Sequence, residues 1–324
     1  MGNAVNSKTA VLLLAHGSPE RVDDVPEFLT NVTGGRILPQ NVVDEVKRRY
    51  ALIGRSPLDE YTQAQAEALR RKLKAPVYWA MRNWRPYIAD VAHTMVADGV
   101  QRAVIICLAP QNSRTSVGLY RRALLGAQRE KGSASPVPFE VDFVESWHDH
   151  PLLVQAFAEK LRAGWEHACS ELGAKLPVIF TAHSVPARTI QEGDPYEHQA
   201  RETAALVAMS VPALGRDGWS FAFQSQGTSG GPWLGPTVEE TIRQLSQQKH
   251  RGVFIQPVGF LCDHVEVLYD IDIAFRQFAA EQGMRLWRAE SLNDSPGLTS
   301  ALADLARSRT TFHAEGAPLA QTKP

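Results

Sequence analysis

Short apolar runs, each followed by a longer amphipathic stretch, constrain the fold of this 324-residue chain more than any other feature. Val11-Leu12-Leu13-Leu14, Val104-Ile105-Ile106 and Val253-Phe254-Ile255 are the plainest of them. Alternation of this kind argues for parallel sheet with helices on both faces. The pattern predicts strands at residues 10–14, 76–80, 103–108, 139–144, 177–181, 219–224, 252–257 and 284–288. It predicts helices at 61–74, 86–98, 117–130, 151–168, 197–209, 237–248, 265–282 and 297–307. The expected fold class is therefore α/β.

The chain also repeats itself. Val11-Leu12-Leu13-Leu14-Ala15-His16-Gly17-Ser18-Pro19 matches Val178-Ile179-Phe180-Thr181-Ala182-His183-Ser184-Val185-Pro186, each a strand ending in Ala-His-x-x-Pro. The run from Arg102 to Pro110 parallels that from Arg251 to Pro257. Two similar doubly wound halves fit this repeat, one spanning 9–173 and the other 174–308, with disordered ends at 1–8 and 309–324. Such sheets bind ligands at the carboxyl ends of their strands. A cleft between the halves would carry His16 on one wall and His183 on the other.

Composition narrows the function. Lys+Arg (34) nearly balances Asp+Glu (35), for a net charge of −1, so no nucleic-acid partner is expected. The three cysteines, Cys107, Cys169 and Cys262, are far apart, which speaks against a disulfide framework. A Cys-ligated iron–sulfur cluster needs four thiolates, so none is expected. Cys107 and Cys262 read as small hydrophobes. No signal-peptide core is visible, and no apolar run approaches the ~20 residues that span a bilayer. Met1-Gly2 is followed by Asn6 where a myristoylation signal needs Ser or Thr. The expectation is a cytoplasmic protein without a transmembrane segment.

Two segments carry the chemistry. In Asp263-His264-Val265-Glu266-Val267-Leu268-Tyr269-Asp270 a helix start would put Asp263, Glu266 and Asp270 on one face, at spacings of +3 and +4. His183 stands just beyond the apolar run Val178-Ile179-Phe180. A histidine at a strand end and a line of acids suit proton removal and cation handling. The plainer readings are a satisfied structural histidine and a solvated helix front. Gly227-Thr228-Ser229-Gly230-Gly231 satisfies G-x-S-x-G, but Pro232 to Pro236 follow where a nucleophile elbow needs a helix, so an extended loop is expected. His148-Asp149-His150 reads as a surface loop. Arg36, Lys47, Arg48, Arg49 and Arg55 form a basic cluster that is either a solvated face or a set of carboxylate clamps.

The chain resembles the ferrochelatases, which insert ferrous iron into a porphyrin during haem synthesis. The resemblance rests on Ala182-His183-Ser184-Val185-Pro186, Gly193-Asp194-Pro195-Tyr196, Gln224-Ser225 with Pro232-Trp233-Leu234-Gly235-Pro236, Pro257-Val258-Gly259-Phe260, the segment from Asp263 to Tyr269, and Arg288 to Asn293. These follow the family's order from about residue 10 to residue 308. The resemblance implies two Rossmann-like halves around a porphyrin cleft, with His183 and Glu266 as the catalytic and iron-binding pair. It implies Asp270 on an outer iron path, which is incomplete here because Ala274 stands where the next acid would be. It further implies porphyrin contacts from His16, Arg36, Arg49, Ser56, Ser116, Tyr120 and Trp233, with His16 as a candidate axial ligand of the product iron. Asn83 replaces a histidine found in some relatives.

Within the family, the loop from Gln224 to Trp233 has the length seen in the coproporphyrin III branch. Residues 20–60 are polar and carry the basic cluster Arg36, Lys47, Arg48, Arg49 and Arg55, read as suited to four propionates. The substrates expected are therefore coproporphyrin III and Fe²⁺, with no organic cofactor and no iron–sulfur cluster. The chain is expected to be a monomer, with at most transient contact to neighbouring haem-pathway enzymes. In the expected mechanism the cleft binds a bent macrocycle better than a flat one. His183, with a reference pKa of about 6.5, takes a pyrrole proton, and Glu266 and Asp270 replace water around the metal. The other readings are a protoporphyrin IX ferrochelatase, a cobalt chelatase using two histidines, and a porphyrin or haem carrier without chemistry.

Overall fold

In the computed structural model, residues 8–126, 138–227 and 231–312 are described. Eight strands form: β1 (Thr9–Ala15), β2 (Val77–Met81), β3 (Arg102–Cys107), β4 (Glu140–Val144), β5 (Val178–His183), β6 (Trp219–Gln224), β7 (Gly252–Pro257) and β8 (Arg285–Arg288). Every predicted strand is present, with ends displaced by at most two residues. The strands make two four-stranded sheets, ordered β2-β1-β3-β4 and β6-β5-β7-β8. All pairings are parallel. The two orders are the same pattern, so the sequence repeat is a structural repeat: β1 corresponds to β5 and β3 to β7.

The helices are α1 (Val25–Val32), α2 (Gln40–Ile53), α3 (Leu58–Leu73), α4 (Ile88–Ala97), α5 (Val117–Gly126), α6 (Pro151–Leu172), α7 (Ala187–Gln191), α8 (Tyr196–Met209), α9 (Val238–Gln247), α10 (Val265–Leu268), α11 (Arg276–Glu281) and α12 (Pro296–Arg309), with a π-helical turn at Asp270–Phe275. Three differences from expectation have physical causes. The polar 20–60 region holds α1 and α2, which the apolar pattern did not reveal because α2 buries only Tyr50. The helix expected at 265–282 is broken by the π turn, where the Ala274 amide reaches the Tyr269 carbonyl at 2.9 Å. The last helix runs to Arg309, two residues past its expected end. The expected helix at 117–130 is α5 as far as Gly126; the rest lies outside the described residues, as do 1–7, 313–324 and Ser229 of the G-x-S-x-G stretch.

Both faces of each sheet are covered. Along β1, Val11 and Leu13 face a large core shared by the two halves, while Ala10, Leu12 and Leu14 face a separate cluster under α4 and α5. The shared core is crossed by two helices. Helix α6 packs on β7, β8 and α8, and α12 packs on α6, α3 and β3. At Gly164 of α6 a Cβ would lie 2.9 Å from the Phe254 ring, so only glycine lets the helix approach β7 this closely. Phe254 is 1% exposed, a burial worth about 2–3 kcal/mol. No helix among the described residues is long and apolar enough to cross a membrane.

Candidate active site

The carboxyl ends of the central strands bring the two histidines of the repeat into one cavity of about 420 Å³ between the halves. After β1 the chain turns sharply at Gly17, whose φ is +92° and whose Cβ position would lie 2.9 Å from the Trp84 amide nitrogen. That turn presents His16 to the cavity, edge-on to Phe28 with ring centroids 5.9 Å apart. Its Nδ1 lies 3.1 Å from the Gly17 carbonyl oxygen and its Nε2 lies 3.0 Å from Asn83 Nδ2. Donation by Nδ1 and acceptance at Nε2 satisfy both contacts, which is the pattern of a neutral ring.

His183 ends β5. Its Nδ1 donates to the Ser184 carbonyl, and its own carbonyl accepts from Tyr196 Oη at 2.9 Å. These contacts turn Nε2 toward Glu266, whose Oε1 is 3.5 Å away. Glu266 sits in the first turn of α10. His264 caps that helix: its Nδ1 accepts the Glu266 amide at 3.2 Å, and its ring packs edge-on to Phe260. Gln224 Nε2 donates to the Glu266 carbonyl at 2.8 Å. Asp270, one turn on, is buried and accepts from the Ser225 hydroxyl; Arg49 Nη1 lies 3.6 Å from its other oxygen.

The groups set one another's charge. Burial disfavours charge on His183, but the Glu266 carboxylate, the Ser184 carbonyl and Asp270 outweigh it and raise its pKa to about 9. Burial opposes charge on Glu266 as well, and His183 outweighs it, lowering that pKa to about 2. Both side chains are about a third exposed, yet the exposure is to an enclosed cavity lined by protein, so desolvation and pairing both act. His16 likewise opens on the cavity; burial, then Arg82, lower it to about 4. Burial and the Glu266 charge raise Asp270 to about 6. Burial lowers His264.

His16, Ser116, Tyr120, His183, Trp233 and Glu266 all line the cavity. Ser116 Oγ is buried with no hydrogen-bond partner among the described residues. Trp233 is held beside Pro186 by an antiparallel bridge. Other expected residues lie elsewhere. Asp263 does not share a face with Glu266 and Asp270, because the helix starts only after His264. Its carboxylate instead accepts from Ser291 Oγ (2.8 Å) and Asn293 Nδ2 (3.0 Å) and pairs with Arg288. Arg36 is exposed between α1 and α2, outside the cavity lining. Arg49 is also outside the lining, its guanidinium on Glu45 (2.9 Å) and Asp270. Ser56 is buried, also off the lining. The His148 loop is at the surface only in part: Asp149 is exposed, but His148 is 8% exposed, with Nδ1 on Ser146 and Nε2 on Glu202. Cys262 is buried as expected, and its thiol also accepts from Gln65 Nε2 and lines the cavity.

Arg82 lines the cavity and was not anticipated. Its guanidinium lies over the Tyr120 ring, 5.8 Å from the centroid, and pairs with no carboxylate among the described residues. Its Nε is buried and unpartnered. Tyr50, Ser113, Tyr196 and His264 are further lining residues without an expected role.

The ferrochelatase family profile matches residues 8–310. The chain belongs to the ferrochelatase family. A ferrochelatase of Acidobacterium capsulatum is 53% identical over 318 residues, covering 94% of this chain and 95% of its own. A coproporphyrin III ferrochelatase of Geobacillus thermodenitrificans is 36% identical, covering 92% of this chain and 95% of its own. Among solved structures, SirB from Bacillus subtilis with Fe³⁺ matches at a TM-score of 0.58 and 12% identity, covering 95% of this chain and 98% of its own. The two-sheet arrangement is thus that of the chelatases.

Proposed function

We propose that this ferrochelatase inserts Fe²⁺ into coproporphyrin III, with His183 and Glu266 at the centre of the reaction. The observation that carries the reading is the His183–Glu266 pair, 3.5 Å apart, facing one cavity shared with His16. Beside the Glu266 carboxylate His183 is charged at neutral pH, since its pKa is raised to about 9. It therefore becomes a base only once that hold is relieved. Fe²⁺ arriving at Glu266 would neutralise the carboxylate, and burial would then drive the proton off the imidazole to solvent by way of Asp270. The neutral ring can then accept a pyrrole proton. Asp270, raised to about 6, is suited to exchange protons with solvent near neutrality. Metal arrival and base activation are in this way one event.

Arg82 supports a carboxylate-bearing porphyrin. An unpaired guanidinium facing a cavity is costly unless a ligand supplies the anion. Ser113, Ser116 and Tyr120 add hydroxyls on the same lining. Coproporphyrin III offers four propionates, against two on protoporphyrin IX, and so meets this polar wall more fully. The test is a spectral insertion assay with Fe²⁺ and the two porphyrins side by side. The expected result is a higher kcat/KM for coproporphyrin III. Preference for protoporphyrin IX would overturn the choice of porphyrin, and binding without insertion of either would overturn catalysis.

A further inference from the structure

Besides the direct partners of Glu266 and Asp270, a second set of residues frames their segment from outside the porphyrin cavity. Arg288 ends β8 and is partly buried, its side chain 14% exposed. Its Nε and Nη2 donate to both oxygens of Asp272, each at 2.8 Å. The same Nη2 lies 3.2 Å from Asp263 Oδ1. One guanidinium thus grips the chain just before α10 and again inside the π turn. Glu266 and Asp270 lie between the two grips.

The geometry of the segment makes these grips necessary. Helix α10 has four residues, too few to hold a helix unaided. The π turn sends Asp270 inward to Ser225 and Asp272 outward to Arg288. Asn293 completes the frame: its Oδ1 accepts the Asp263 amide at 2.9 Å, and its Nδ2 donates to Asp263 Oδ2 at 3.0 Å. Neither Arg288 nor Asp272 lines the porphyrin cavity; both border a separate surface cleft.

We propose that Arg288, through its fork on Asp272 and its bond to Asp263, is the positioning residue that sets Glu266 and Asp270 for the metal. It touches neither porphyrin nor iron. This rests on the reading of Glu266 and Asp270 as the metal-side acids. Partners behind metal ligands matter at the level of 10–100-fold in metal affinity, so loosening the fork acts on the metal and spares the porphyrin.

The experiment uses the full chain with Arg288→Lys, Asp272→Asn and Glu266→Gln. Lysine keeps the charge and loses the fork, and asparagine keeps the shape of Asp272. Metal KM is measured with Fe²⁺ and with redox-silent Zn²⁺ at saturating porphyrin, and porphyrin affinity by fluorescence quenching. Arg288→Lys and Asp272→Asn should each raise metal KM about 10-fold or more, with porphyrin affinity within about twofold of the parent. Zn²⁺ affinity by calorimetry should fall less when Asp272→Asn is added to Glu266→Gln than when it is made in the parent, because part of its effect acts through Glu266. Unchanged metal KM in both variants, beside a crippled Glu266→Gln, overturns the positioning role and leaves the proposed function standing. Equal loss of porphyrin and metal affinity also overturns it, since that marks general loosening. An unimpaired Glu266→Gln overturns the functional reading itself.

Discussion

Asp270 carries a cost that a single substitution should remove. Its side chain is 10% exposed, and its pKa is raised from 3.8 to about 6 by burial and by the neighbouring Glu266 charge. The folded chain therefore holds this proton more tightly than the unfolded chain does. Below the unfolded pKa of 3.8 there is no penalty. As pH rises through about 6 the folded state must ionise a group that resists it. A rise of roughly two units corresponds to about 3 kcal/mol of stability lost by neutral pH. Asp270→Asn abolishes that cost and retains an oxygen for the Ser225 hydroxyl. It gives up the Arg49 contact at 3.6 Å, but Arg49 keeps Glu45 at 2.9 Å. The expected net gain is about 1–2 kcal/mol at pH 8, shrinking to nothing near pH 4. Urea denaturation of parent and variant at pH 4, 5, 6, 7 and 8 measures it, since titrations common to both cancel in the difference. Iron insertion should meanwhile slow. A variant no more stable than the parent at pH 8, or a difference that does not change with pH, would refute the reasoning.

His183→Ala should abolish insertion while coproporphyrin still binds; turnover within a few-fold of the parent removes the base role. Arg82→Gln should weaken coproporphyrin binding by roughly 1–3 kcal/mol, the scale of a charged hydrogen bond, and Arg36→Gln should weaken it by less. Equal losses in a fluorescence titration would mean that Arg36 reaches the ligand as well. Asn83→Ala should free His16 Nε2 and strengthen its bond to product iron, moving the Soret band of the enzyme–haem complex opposite to the shift expected for His16→Ala. If both spectra match the parent, His16 is a wall residue only.

The strands were legible because parallel strands buried on both faces read as continuous apolar runs, and Val11 to Leu14 or Val104 to Ile106 cannot easily be anything else. Helices α1 and α2 were not, because α1 is only eight residues long and buries Val25 and Phe28 alone, while α2 buries only Tyr50. His183 and Glu266 could be named from their motifs, but the charge on His183 could not, since it depends on a carboxylate distant in sequence. Asp263 was misplaced because spacing fixes a face only once the helix start is known, and His264 delays that start. Arg82 was within reach. It follows β2 directly, and the rule that strand ends line the cleft, applied to β1 and β5, points equally to Arg82 and Asn83.

The two crossing helices tie the history of the chain to its rigidity. Helix α12 is the last of the described elements, yet it covers α3 and β3 of the first half. A nascent chain that has not reached Pro296 leaves the Leu69 side of the first half without its cover, so neither half finishes folding until the whole chain is released. The same exchange sets a cost on opening: swinging the halves apart would strip each of a helix that belongs to the other and expose the core they share. A cavity whose two walls share one core keeps its width at the expense of its ligand's shape, so a flat ligand that does not fit is the partner that bends.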